Sequence, residues 1–339
     1  MTTPKIMVLT TGGTIASGQT DSGRHRSGAL KGESLLSQVA LPEGLTAQVE
    51  VKSVLQKSSN AITLDDLMML SAQCQVLSES PEVMGIVITH GTDTLEETAF
   101  FLDITLSDKV PVVITGSQRA PHEPGTDAFR NIADAIKLAA SPQAQGLGAL
   151  VLFNQTIFAA RQVRKVNTFQ LAGFAAPETG SLGYIDGTRI HLAAKPVRPN
   201  PISATLAKTL PRVDILPAYL GASNDLIETV INHGSQGLII DALGRGHVPP
   251  DWRSPIARVV SQGIPVVIVS SCHVGPIEAV YEFEGSLCDL VSAGAIPLQD
   301  ISARKARLAL SVLLASSPNG SIEASLKTLT SADAAKHNA

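Results

Sequence analysis

Residues 84–98 read MGIVITHGTDTLEET, and this stretch decides the fold class. Gly85 to Thr89 is an apolar, β-branched run too short for a helix, which predicts a buried strand. It stops abruptly at His90-Gly91-Thr92-Asp93. Thr94 and Glu97 then have the T-x-x-E spacing of a capping box, opening a helix with an apolar face through Leu95, Ala99 and Leu102. A strand, a glycine turn and a helix start mark the place where open parallel sheets bind ligands, beyond the carboxyl ends of their strands. The Thr92 hydroxyl and the Asp93 carboxylate stand side by side at that point.

The pattern recurs along the chain. A strand at Lys5–Leu9 ends in Thr10-Thr11-Gly12-Gly13-Thr14, and one at Val49–Leu55 leads to Lys57-Ser58-Ser59-Asn60. Thr63, with Asp66 at the capping-box position, starts a helix to about Leu77. A strand at Val110–Thr115 ends at Gly116-Ser117-Gln118-Arg119. Ala128, Ile132, Ala135, Ile136 and Ala139 form one stripe of a helix over Asp127–Ala140. Ala149–Phe153 is the next strand, before the basic segment Arg161-Gln162-Val163-Arg164-Lys165. Such alternation predicts a parallel sheet with right-handed crossovers.

Near Ser181 the rhythm changes. Leu182–Ile185 and Arg189–Leu192 flank Asp186-Gly187, a hairpin signal, and Pro196, Pro199 and Pro201 stiffen a connector. Strands at Val213–Leu216, Leu238–Asp241 and Val266–Val269 follow, with helices at Asn224–His233 and Ala303–Ala315. The expected architecture is α/β throughout. A larger N-terminal domain with a mainly parallel sheet spans residues 1–193, 194–211 is a linker, and 212–339 is a smaller C-terminal α/β domain. The Ser/Ala/Asn-rich tail from about residue 317 is a candidate for disorder. Residues 17–32, rich in Gly, Ser and Arg without periodicity, read as a long mobile loop, of a length that is usually functional or disordered.

Composition excludes several functions. Net charge is −4 with no basic block, which argues against nucleic acid as a partner. The longest apolar runs fall short of a membrane span, and MTTPKIMVLTTGG has no long apolar stretch of the secretory kind. Cys74, Cys272 and Cys288 are odd in number and lack C-x-x-C spacing, so reduced thiols and a cytoplasmic protein are expected. The scattered histidines have no ligand spacing, so no metal site is predicted. Cys272 and His273, read as strand neighbours on opposite faces, do not make a dyad.

Thr14 and Thr92 share one topological position, just past a strand end in a glycine turn. A threonine hydroxyl becomes a nucleophile only when a base takes its proton. The backbone N–H groups of Gly12, Gly13 or Gly91 suit an oxyanion hole, because glycine admits close approach. Asp93 lies before the cap and is a functional candidate, whereas helix-dipole preference alone accounts for Glu96 and Glu97. Lys165 would serve as a base if burial or repulsion from Arg161 and Arg164 lowered its pKa. The spacing Gly13…Gly18-Gln19-Thr20 imitates a phosphate loop, but Gln19 stands where lysine is required.

TTGGTIA (residues 10–16) together with ITHGTDTLEET (88–98) resembles the bacterial-type L-asparaginase family, which includes glutaminase-asparaginases. The likeness continues through Gly116-Ser117, Asp127 and Asn131, residues 164–167 (RKVN), Leu182-Gly183-Tyr184 and Gly244-Arg245-Gly246-His247. The resemblance implies a cofactor-free hydrolase converting asparagine to aspartate and ammonia through an acyl-enzyme. Thr14 would be the nucleophile, and Thr92, Asp93 and Lys165 the second polar group. Gly13, Ser58, Ser59, Gly91 and Ser117 would line the substrate pocket. It also implies a homotetramer, a dimer of intimate dimers, in which His247 and Glu282 complete the neighbouring subunit's site.

Two departures stand out. No tyrosine lies between Thr14 and Tyr184, where the family's loop supplies an activating one. His25, Ser27 or Lys165 alone would have to replace it. Lys57 also stands where a small or acidic residue is usual. The alternatives to an asparaginase are a broader glutaminase-asparaginase and a non-catalytic amino-acid-sensing homologue. An amidotransferase subunit would need a further tRNA-facing domain.

Overall fold

In the computed structural model the described residues are 3–20, 22, 24–202, 209–316 and 321–330. The chain divides into two units, Met1–Arg198 and Pro199–Ala339. In the first, β1 (Lys5–Gly12) is followed by a short ribbon of β2 (Gly18–Gln19) and β3 (His25–Arg26), then α1 (Gly32–Leu36), β4 (Gln48–Lys57) and α2 (Leu64–Ser78). Next come β5 (Val83–Thr89), α3 (Leu95–Thr105), β6 (Val112–Thr115), α4 (Ala128–Ala139) and β7 (Ala149–Phe153). The unit ends with β8 (Thr156–Ala159), a small pair β9 (Arg164–Lys165) and β10 (Phe174–Ala175), and a hairpin of β11 (Gly183–Asp186) and β12 (Arg189–Leu192).

One sheet holds eight of these strands, in the order β12-β11-β8-β7-β6-β5-β1-β4. β7, β6, β5, β1 and β4 run parallel, while β8, β11 and β12 extend the edge in antiparallel fashion. From β1 the chain pairs first with β4 on one side and then with β5 on the other. The loops leaving β1 and β5 therefore diverge over a crevice at the carboxyl ends of those strands, which is where such sheets bind ligands. Buried Val8, Val87, Val113 and Leu152 pack on one face with Ile132, Ala135 and Ile136 of α4, the stripe read from the sequence.

Several local expectations change. Thr63 and Asp66 do form the capping box of α2. Thr94 does not cap α3; its hydroxyl is donated instead to the Ser59 carbonyl at 2.9 Å. The 17–32 segment contains the ribbon Gly18↔Arg26 and Gln19↔His25, with residues 21 and 23 outside the described ones. Gly18 and Gln19 start no helix, as a phosphate loop would require.

The second unit holds a parallel sheet in the order β13-β14-β15-β16, made from β13 (Asp214–Pro217), β14 (Leu238–Ala242), β15 (Val266–Ser270) and β16 (Ile296–Pro297). Its helices are α5 (Asp225–Asn232), α6 (Arg253–Ser261), α7 (Leu287–Ser292), α8 (Ala303–Ser316) and α9 (Ile322–Thr330). Helix α9 lies within the Ser/Ala/Asn-rich tail, and buried Leu326 and Leu329 anchor it. The rest of that tail, 317–320 and 331–339, lies outside the described residues, as do 203–208 of the connector. Cys272 and His273 lie beyond β15 in an exposed loop, not on a strand.

Candidate active site

The turns after β1 and β5 meet backbone to backbone. A Cβ built on Gly13 would lie 2.3 Å from Gly91 Cα, and one on Gly91 would lie 2.8 Å from Ser59 Oγ. Such contact is open only to glycine, and Gly13 also has φ +82°. Thr14 and Thr92 each follow one of the touching glycines, so two motifs far apart in sequence share one crevice. Thr11 Oγ1 ties the strands together just behind it by donating to the Thr89 carbonyl at 3.0 Å. The third strand end joins the same cluster, for a Cβ on Gly116 would be 2.6 Å from the His90 carbonyl.

Thr14 is half-buried at the start of a single 3₁₀ turn, while Thr92 is almost fully buried. Lys165 Nζ donates to Thr92 Oγ1 and to Asp93 Oδ1, both at 2.7 Å. The Lys165 side chain is 17% exposed and that of Asp93 67%, so the carboxylate faces solvent while the ammonium is mostly enclosed. Arg161 does not crowd this lysine. Its guanidinium is bound to Asp103 at 3.1 Å, which removes its share of the repulsion considered from sequence.

His90 supports the second turn from beneath. Its ring is wholly buried, with Nδ1 2.8 Å from the Gly91 carbonyl and Nε2 2.9 Å from Thr98 Oγ1. The carbonyl can only accept, so Nδ1 carries the ring proton and Nε2 accepts from the threonine. Burial pushes the pKa down from 6.5 to about 4, so the ring stays neutral. Sequence reading passed over His90, because a histidine at a strand end carries no periodic signal.

The remaining predicted residues divide clearly. Ser59 is buried against Gly91, and Ser58 starts the same short 3₁₀ segment. Ser117 is buried, and its hydroxyl is donated to the Arg119 carbonyl. Asp127 holds that turn by accepting the Gln118 and Arg119 amides, and Asn131 donates to the Gly116 carbonyl. The Gly13 amide is donated to the Lys57 carbonyl at 3.1 Å, so it is not a free oxyanion donor, contrary to expectation. Lys57 itself turns its ammonium to Asp66 at 2.7 Å.

His247 and Glu282 belong to the second unit. His247 lies beside the rings of Tyr281 and Phe283, and burial lowers its pKa. Glu282 borders an open cavity of about 540 Å³ together with Arg253 and Asp289. Among the described residues no cluster of His, Cys, Asp and Glu could hold a metal ion.

The family model described as asparaginase, N-terminal, matches residues 5–198, and that of the glutaminase/asparaginase C-terminal domain matches 212–323. The chain belongs to the asparaginase family. It is 41% identical to the L-asparaginase of Bacillus licheniformis over 316 residues, covering 93% of this chain and 97% of that one. It is 38% identical to a probable L-asparaginase of Deinococcus radiodurans, covering 92% of this chain and 93% of that protein. The asparaginase fold extends over both units. The crystal structure of a probable cytoplasmic L-asparaginase from Campylobacter jejuni superposes with a TM-score of 0.85 at 26% identity, covering 95% of this chain and 99% of that one.

Proposed function

We propose that this asparaginase-family protein hydrolyses L-asparagine to L-aspartate and ammonia through an ester on Thr14. The reading rests above all on the Gly13–Gly91 contact, which brings a half-buried hydroxyl and a lysine-bound hydroxyl to one crevice. Thr14 Oγ1 adds to the carboxamide carbon, and its proton passes by way of Thr92 and Lys165 to the departing nitrogen. The C–N bond breaks, ammonia leaves, and water cleaves the ester by the reverse route. Gly91 supplies an N–H toward the oxyanion. Asp93, exposed at the rim, binds the substrate ammonium, and Ser58, Ser59 and the Ser117 backbone bind the rest.

Of the candidates to replace the absent tyrosine, Ser27 is favoured. Its Oγ is buried without a partner among the described residues, and the next residue, Gly28, donates to the Gly13 carbonyl at 3.4 Å. His25 is exposed and lies 3.8 Å from Glu123 instead.

The assembly proposed is a homotetramer of intimate dimers with His247 and Glu282 serving the neighbour's site. Exposed Tyr281 and Phe283 beside His247 support it, since large rings grouped on a surface mark interfaces. A cytoplasmic location accords with three unpaired cysteines and with the Campylobacter relative.

Ammonia release from asparagine and from glutamine by the purified protein tests the activity. Thr14→Ala should abolish release. Asparagine binding without turnover by the unmodified protein would overturn the catalytic reading in favour of a sensor. Comparable rates on glutamine would replace strict asparaginase activity with the glutaminase-asparaginase alternative.

A further inference from the structure

Lys165 is not carried by the main sheet. It sits on β9, which among the described residues pairs only with β10, in a two-stranded piece of its own. Something other than the ladder must therefore fix where its ammonium points. The main-chain N–H of Lys165 is donated to Glu96 Oε2 at 2.5 Å, a bond spanning 69 residues. Glu96 is 5% exposed, in the first turn of α3, three residues beyond Asp93. A second, longer tie comes from Gln118 Nε2 to the Asn167 carbonyl at 3.3 Å.

We propose that Glu96 is the positioning residue of the catalytic lysine. Its buried carboxylate clamps the Lys165 backbone so that Nζ reaches Thr92 and Asp93 together. The helix-dipole preference that explains a first-turn acid at a surface does not account for this one. A solvent-facing glutamate would serve the dipole equally, whereas Glu96 is buried and its carboxylate meets an amide of a distant strand. Thr92 and Asp93 lie in the turn that leads directly into this helix, so one continuous stretch of chain, Thr92 to Glu96, sets both partners of Nζ and holds the strand that delivers it. The catalytic consequence rests on the hydrolase reading given above. The structural consequence does not.

The test compares Glu96→Gln, which keeps an acceptor oxygen of the same reach, with Glu96→Leu, which removes it. Loss of lysine placement by about 1 Å lowers kcat on the order of 100-fold. Glu96→Leu should show that loss with KM little changed, and Glu96→Gln should recover to within roughly tenfold of wild type. Glu96→Asp, one methylene shorter, is an intermediate case that serves if the leucine variant does not fold. Crystal structures of the variants supply a readout independent of turnover, with Lys165 Nζ withdrawn from hydrogen-bond distance of Thr92 in the leucine or aspartate variant. Wild-type kcat in Glu96→Leu or Glu96→Asp, or an unmoved ammonium in those structures, would overturn the proposal. An unmodified protein that releases no ammonia would instead sink the hydrolase reading and leave the crystallographic distance to decide on Glu96.

Discussion

Gly13 and Gly91 occupy space that neither could share with a side chain. A methyl group on Gly13 would meet the Gly91 Cα at 2.3 Å and the Gly91 nitrogen at 2.4 Å. The obstacle to a side chain at position 13 is backbone, so no rotamer change relieves it. Gly13→Ala should cost about 1–3 kcal/mol through overpacking and positive φ. The two threonine turns should separate and ammonia release should fall far more than stability does. Denaturant unfolding alongside a steady-state assay checks both, and an alanine variant with wild-type activity would contradict the close contact.

Thr92→Val removes the hydroxyl bonded to Lys165 Nζ at 2.7 Å while keeping nearly the same volume. Loss of a positioned proton-transfer group typically costs about 10²–10⁴ in rate. The expected result is a fall of that size in kcat with the thermal midpoint nearly unchanged. A fall under tenfold would remove Thr92 from the proton path.

His90 makes stability depend on pH in a defined direction. Its folded pKa, about 4, lies below the unfolded value of 6.5, so the unfolded chain binds the proton more tightly. Stability from this ring is complete above pH 6.5 and declines as pH falls from 6.5 toward 4, by up to about 3 kcal/mol. Chemical denaturation across that range measures it. A His90→Gln variant, less stable at neutral pH, should show a shallower slope over the same interval.

Arg198 binds Asp103 Oδ1 at 3.0 Å and donates as well to the Asp103 and Leu106 carbonyls. It also pairs with Asp108. Asp103 and Arg198 are both almost fully buried, so Arg198→Met leaves carboxylate and carbonyl groups short of donors. Arg161 still neutralises part of the charge, and the expected loss is about 3 kcal/mol in urea denaturation. An unchanged midpoint would show that solvent reaches this cluster.

Much of the fold is legible along the chain because it rests on short-range patterns. The α4 stripe, the Thr63–Asp66 capping box and the Asp186-Gly187 turn each depend on residues within a few positions of one another. The turn joining β7 and β8 was missed because Asn154 and Gln155 both take positive φ, and glutamine is not a residue that announces such a turn. Helix α9 was missed for a related reason, since its polar composition hides the two leucines that anchor it.

By itself the amino-acid order determined an alternating α/β chain in which two threonines end strands in glycine turns. Periodicity and turn chemistry act between neighbours, so they can be read one after another. Only the tertiary structure decided that β1 lies beside β5, which puts Gly13 against Gly91. It also decided that Glu96 grips the strand of Lys165, and that Lys57 turns to Asp66. The Thr11–Thr89 bond between β1 and β5 joins residues 78 apart in sequence, and the Glu96–Lys165 bond between α3 and β9 spans 69. Packing of the whole sheet selects them, and no local spacing encodes that choice.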